Sequence, residues 1–194
     1  MVGTEGKGKD TMSSREDQAQ KETLLSGAAE EAASRIFALG PSEGEALWGD
    51  GLLATIKANG EQTDGRSSLV EILAPDGYGS GLHVHHREDE GFWILEGELT
   101  FYVGDQTTKA QPGSFLFGPK DVPHAFTVDS GPARLLFLLS PAGFEELVRD
   151  MGEPARALTL PPQPEAPPSE AEMQQMAAIA AQHGVEFLEP PPGP

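Results

Sequence analysis

Between residues 48 and 139 the chain alternates short apolar runs with turn-forming dipeptides. The runs fall at 52–56, 68–73, 92–95, 99–103, 114–117, 125–128 and 135–139. Asn59-Gly60, Asp64-Gly65, Asp76-Gly77, Glu96-Gly97, Gly104-Asp105 and Ser130-Gly131 punctuate them. Many short apolar runs at this spacing predict the strands of an all-β sandwich or barrel. Helical spacing is confined to the flanks. Over residues 22–39, Leu24, Leu25, Ala28, Ala32, Ile36 and Phe37 recur three and four apart, and Gly40-Pro41 ends the pattern. After residue 140, Phe144, Leu147 and Val148 predict a second helix that ends near Gly152. Ser169 and Glu172 form a capping box for a third, with Met173, Met176, Ala177, Ile179 and Ala180 on its apolar side and Gly184 at its end. The expected organisation is a disordered tail (1–21), a helical extension (22–47), a barrel (48–140), a helical segment (141–160), a proline-rich linker (161–168) and a final helix and tail (169–194).

Composition narrows the chemistry. A chain of 194 residues that is 38% hydrophobic can bury a true core. It has no cysteine, so disulfides, thiolate metal sites and cysteine nucleophiles are excluded. The 31 acidic residues against 13 basic ones give a formal charge of −18. A surface this negative repels nucleic-acid backbones and anionic lipid headgroups, so neither partner is expected. No apolar stretch approaches a membrane span of roughly 18 residues. The polar, glycine-rich start lacks the apolar core of a signal peptide, so a cytoplasmic protein is expected.

Four of the five histidines lie in two short segments, 77–97 and 112–124. Strand side chains alternate faces, so His83 and His85 point the same way. Glu90, at the start of the next strand, can turn back to face them, and His124 follows the bend between Pro119 and Pro123. Three imidazoles and a carboxylate suit one divalent transition metal such as iron, nickel, manganese, cobalt or zinc. Glu90 is both a ligand and the expected base. Phe92 and Ile94 share the parity of Glu90, and Phe126 that of His124; with Phe101 they are expected to form the apolar walls of a small-molecule site. His86 faces away and His183 lies at a helix end. Glu88 and Asp89 are expected in a solvated turn. No Gly-x-Ser-x-Gly elbow or phosphate-binding glycine loop is present.

These residues resemble the cupin superfamily. Its first motif, Gly-x5-His-x-His-x3,4-Glu-x6-Gly, is matched throughout by Gly77, His83, His85, Glu90 and Gly97. Its second, Gly-x5-Pro-x-Gly-x2-His-x3-Asn, is matched by Gly113, Pro119 and His124, with Asp121 and Val128 at the two departures. Asp accepts left-handed turn geometry better than most residues, so the first departure is mild. The resemblance implies a double-stranded β-helix (jelly-roll) barrel with peripheral N- and C-terminal helices, usually a homodimer, holding one metal on the four named side chains. It is strongest toward single-barrel quercetin dioxygenase-like cupins. A dioxygenase acting on a small enolisable aromatic substrate is therefore expected. An isomerase, cyclase or lyase using the metal as Lewis acid, and a non-catalytic binding protein, remain alternatives within the same superfamily.

Overall fold

The computed structural model describes residues 36–163, 166 and 168–188, with scattered positions (18, 20, 21, 25–27 and 33) before them. Ten strands follow: β1 (Glu45–Gly49), β2 (Leu52–Ala58), β3 (Ser68–Ala74), β4 (His83–His85), β5 (Asp89–Val103), β6 (Gln106–Ala110), β7 (Phe115–Gly118), β8 (His124–Ser140), β9 (Glu153–Pro154) and β10 (Val185–Phe187). Within residues 36–188 three helices accompany them: α1 (Gly60–Thr63), α2 (Phe144–Met151) and α3 (Glu170–Gln182). Pairing is antiparallel throughout, in the order β10-β4-β8-β3-β2-β1-β9, and β5 pairs with β6, β7 and β8.

Two long strands carry the architecture. The sequence predicts 92–95 and 99–103 as separate strands, and likewise 125–128 and 135–139. Each pair is one continuous strand, β5 or β8, bent in its middle. The bends face each other, with Glu98 opposite Ser130. Each acts as a bulge that switches which parity points inward. Along β5 the buried positions run Glu90, Phe92 and Ile94, then Leu99 and Phe101. Along β8 they run His124, Phe126 and Val128, then Ala133, Leu135, Phe137 and Leu139. Gly97 is required at its bend. Its φ is +86°, and a Cβ there would lie 2.8 Å from Ala133. The inward faces build one core around Val70, Ile72, Phe92, Phe101, Leu135 and Phe137. Each large apolar side chain buried this way contributes roughly 1.5–3 kcal/mol over its exposed state.

The sheet is wider than expected. It begins at Glu45 rather than residue 48 and takes two strands from beyond residue 140, because β9 pairs with β1 and β10 with β4. β6 joins β5 as a strand of exposed polar residues. The Asn59-Gly60 turn signal is the capped start of α1, where Asn59 accepts from the Gln62 amide at 3.0 Å. α2 runs into Gly152 as predicted, and the Ser169–Glu172 capping box opens α3. The apolar side of α3 is narrower than its sequence suggests. Ala180 is buried and Met176 and Ile179 partly so, while Met173 is 52% exposed and Ala177 exposed. The helix expected at 22–39 and the tail expected to be disordered at 1–21 lie largely outside the described residues; of the positions described, Leu25, Ser26, Gly27 and Ala33 are helical, and so, against expectation, are Gln18, Gln20 and Lys21. Ile36 to Leu39 are exposed and not helical. The described part of the 161–168 linker carries neither helix nor strand. Among the described residues no helix is long and apolar enough to cross a membrane.

Candidate metal centre

β4 is three residues long and is held on both sides. His83 pairs with His124 at the start of β8, and Val185 to Phe187 of β10 pair with His85 to His83. The turn that follows is tied to the segment leading into His124. The Asp121 amide donates to the His85 carbonyl at 2.8 Å, and the Lys120 amide to Asp89 Oδ1 at 2.8 Å. Asp121 takes a left-handed φ of 63°, the geometry the motif reserves for glycine. The two histidine segments are thus tied to each other by backbone bonds.

One ligand atom from each of His83, His85, Glu90 and His124 lies within 4.8 Å of the other three. The imidazoles are pre-oriented. His83 Nδ1 lies 3.0 Å from the Gly81 carbonyl and His124 Nδ1 2.9 Å from the Val122 carbonyl. A carbonyl can only accept, so both Nδ1 atoms carry the proton and both Nε2 atoms are left for the centre. Glu90 Oε2 sits 3.3 Å from His85 Nε2 and 3.1 Å from His124 Nε2. His85 is 1% exposed, and neither of its ring nitrogens has a hydrogen-bond partner. A buried imidazole with two unmet nitrogens is costly unless something else binds it. The donor set and the orphaned His85 Nε2, which faces Glu90, fit a divalent cation at this point.

Electrostatics agree with that fit. Burial first, and the neighbouring His124 charge second, lower His83 to about 4, so its ring is neutral at physiological pH. For Glu90 burial alone raises the pKa. The hydrogen bond to His124 and the charges of the surrounding imidazoles outweigh it and hold the carboxyl below its ordinary 4.5. His124 is also penalised by burial, yet its bonds to Glu90 and Val122 raise it above 6.5. Without metal, Glu90 and His124, 3.1 Å apart, thus favour each other's charged forms.

The comparisons with known proteins follow the same residues. A cupin-domain family model matches residues 69–139. An uncharacterized protein of Streptomyces coelicolor is 30% identical over 76 residues, which cover 72% of its length and 39% of this chain. The chain belongs to the cupin superfamily. The quercetin 2,3-dioxygenase of Bacillus subtilis is 29% identical over 143 residues, 74% of this cupin. The match spans 42% of that enzyme's length. Among solved structures, a predicted oxalate decarboxylase from Thermotoga maritima superimposes with a TM-score of 0.50 at 17% identity, covering 55% of this chain and 99% of that one. It is similar in fold.

An apolar cavity of about 140 Å³ opens onto the cluster, with His83, His85 and Glu90 in its wall. Phe92, Phe126 and Phe137 line it from the barrel. Phe144, Leu147 and Met151 of α2, with Val185 and Phe187 of β10, line it from the C-terminal segment. Ile94 and Phe101, expected in the wall, do not line it and are buried in the core at 0% and 1% exposure. Ile94 lies one inward position deeper than Phe92, and Phe101 lies beyond the bend at Gly97. Sequence reasoning missed the contribution of α2 and β10, because sheet parity carries no information about which distant helix covers an opening.

Glu88 also departs from expectation. It is 2% exposed rather than solvated, and its Oε2 lies 3.5 Å from His85 Nδ1. The turn folds it inward against Gly143, where a Cβ would come 3.0 Å from its Oε1. Asp89 stays exposed, as expected of the turn. His86 does face outward, lying 2.8 Å from Asp121 and 3.1 Å from Glu186. His183 is the C-terminal cap residue of α3 and contacts Asp150 at 2.7 Å.

Proposed function

We propose that this cupin is a metal-dependent oxygenase of the quercetin 2,3-dioxygenase type, acting on a small enolisable aromatic compound bound in the barrel. The convergence of His83, His85, His124 and Glu90 beside a mainly apolar cavity, with His83, His85 and Glu90 in its wall, carries the reading. The similarity to the Bacillus subtilis quercetin dioxygenase supports it. His83, His85, Glu90 and His124 would hold the cation. A divalent transition metal held there would supply Lewis acidity and, if iron, nickel, manganese or cobalt, redox chemistry toward dioxygen. The chain's own part is to prepare the substrate. Phe92, Phe126 and Phe137 offer aromatic edges and faces to a flat ring. A cavity of about 140 Å³ is close to one that admits a single benzene ring. One ring is thus held inside and the remainder of a larger substrate extends through the mouth. Glu90, kept ionised by its imidazole neighbours, accepts the proton of the enol hydroxyl. The apolar walls exclude water from the carbanion equivalent so formed.

The test pairs metal analysis of the purified protein with oxygen consumption over a panel of flavonols and simpler enolisable aromatics. Oxygen uptake in step with substrate loss, abolished in Glu90→Gln and His124→Ala, is the expected result. Turnover without oxygen uptake would transfer the site to Lewis-acid isomerase, cyclase or lyase chemistry. No turnover with iron, nickel, manganese or cobalt loaded would remove the enzymatic reading.

The reading includes a homodimer. Trp93, Phe115, Phe117 and Leu138 are 48–55% exposed on the outer face of β7-β5-β8, opposite the cavity. Chains carrying −18 repel one another, so self-association needs an uncharged contact of this kind. A second copy seated there leaves the mouth open.

A further inference from the structure

The cavity wall holds a second polar group away from the metal cluster. Tyr78 and Asp50 both line it, and both also line an outer groove beside α3. The Tyr78 hydroxyl donates to Asp50 Oδ2 at 2.7 Å. Each partner is fixed by its own backbone. Asp50-Gly51 is the two-residue turn between Gly49 and Leu52 of the β1–β2 hairpin, with φ of 51° and 74°. Asp-Gly supplies that paired left-handed geometry readily. Tyr78 is anchored on β8, its carbonyl accepting from the Val128 amide at 2.8 Å and its ring 5.9 Å from Phe126. Val128 lies four residues beyond His124 on the same strand, a backbone separation of ~13 Å.

The pair is more than a strap between hairpin and barrel. Asp50 Oδ1 has no hydrogen-bond partner among the described residues, and the phenol oxygen keeps its acceptor capacity. Two unused acceptors therefore stand where the inner cavity meets the outer groove. Burial raises Asp50 and, together with the Asp50 charge, raises Tyr78 well above 10. Asp50 itself keeps solvent access at the hairpin turn, so its free oxygen is open to a donor brought by a ligand.

Building on the oxygenase reading, we infer that Tyr78 and Asp50 form the specificity element of the site. They select aromatic enols that carry a hydrogen-bond donor, such as a phenol hydroxyl, at the end remote from the chelating oxygen. The ring lies along Phe126, its enol oxygen at Glu90 and its distal hydroxyl donating to Asp50.

The experiment measures anaerobic binding of two probes to the metal-loaded full chain by calorimetry. One is 3-hydroxyflavone, and the other is the same flavonol with a hydroxyl on its pendant ring. Wild type is expected to bind the hydroxylated probe at least about tenfold more tightly. In Asp50→Asn the ratio should fall toward one, because the amide oxygen takes the Tyr78 hydroxyl and turns its NH2 donor toward the ligand; in Tyr78→Phe, which removes the phenol that steadies Asp50, it should fall less. Asn tolerates the left-handed backbone at position 50, so this variant keeps the hairpin even if the other loses stability. A purely structural strap would lower the melting temperature and leave the ratio intact. Undiminished discrimination in both variants overturns the inference alone. Failure of wild type to bind either probe overturns it together with the aromatic-enol reading.

Discussion

A buried carboxylate behind a metal-facing imidazole has one productive use, to hold the ring by its far nitrogen. Glu88 Oε2 faces His85 Nδ1 at 3.5 Å, a separation that a small shift of the ring on metal binding would close to a hydrogen bond. Glu88→Leu keeps the volume and removes the acceptor. Its apparent affinity for nickel or zinc, measured against a competing chelator, is expected to fall about 10–100-fold while the far-ultraviolet circular dichroism is retained. Unchanged affinity would deny Glu88 an orienting role. The pKa shifts give a second prediction at this scale. Glu90 is held low, so its contribution is lost as pH falls through its depressed value. His124 is held high, so its contribution is present below 6.5 and lost as pH rises past its elevated value. The metal-free ion pair therefore stabilises between those limits and weakens on the alkaline side. Metal binding has the opposite slope, because it needs the His124 proton gone. Melting temperatures with and without metal across pH 5.5–9 should diverge as pH rises. The four converging residues were legible in the sequence because parity within a strand is local. Glu88 was not, since its burial depends on a turn closing against Gly143 from another element.

At the level of elements, the bends in β5 and β8 decide what faces inward. Gly97→Ala must adopt a φ of +86° and bring a methyl to 2.8 Å from Ala133. It is expected to cost at least about 2 kcal/mol in denaturant unfolding. A loss below half that value would show that the bend relaxes. The same bends explain the limits of the sequence pattern. Glu96-Gly97 and Ser130-Gly131 carry turn chemistry, and it is used here to kink strands rather than to end them. Phe101 falls on the far side of one such kink and so joins the core. β6, with Thr107, Thr108 and Lys109 exposed, has no apolar alternation to read and is held by its pairing with β5. The capping box at Ser169 and Glu172, by contrast, is wholly local and is present as expected.

For the whole molecule, the outer face of β7-β5-β8 leads to a prediction about assembly. Replacing Trp93 and Phe117 together by Lys is expected to convert a dimer to a monomer in light scattering and to leave metal stoichiometry unchanged, because the cavity lies behind the sheet. A wild-type chain that is monomeric at tens of micromolar would end the dimer proposal. β10 bears on how the protein is made. The strand bearing His83 and His85 has a single residue pair with β8 on one side and depends on β10 for the other. That partner strand arrives a hundred residues later in the chain, as the His86–Glu186 contact marks. A nascent polypeptide leaving the ribosome thus displays both imidazoles long before the second edge of their strand is paired. Ion capture then belongs to a late stage of maturation, and a protease that nicks the exposed stretch ahead of α3 would loosen the cation without touching any ligand.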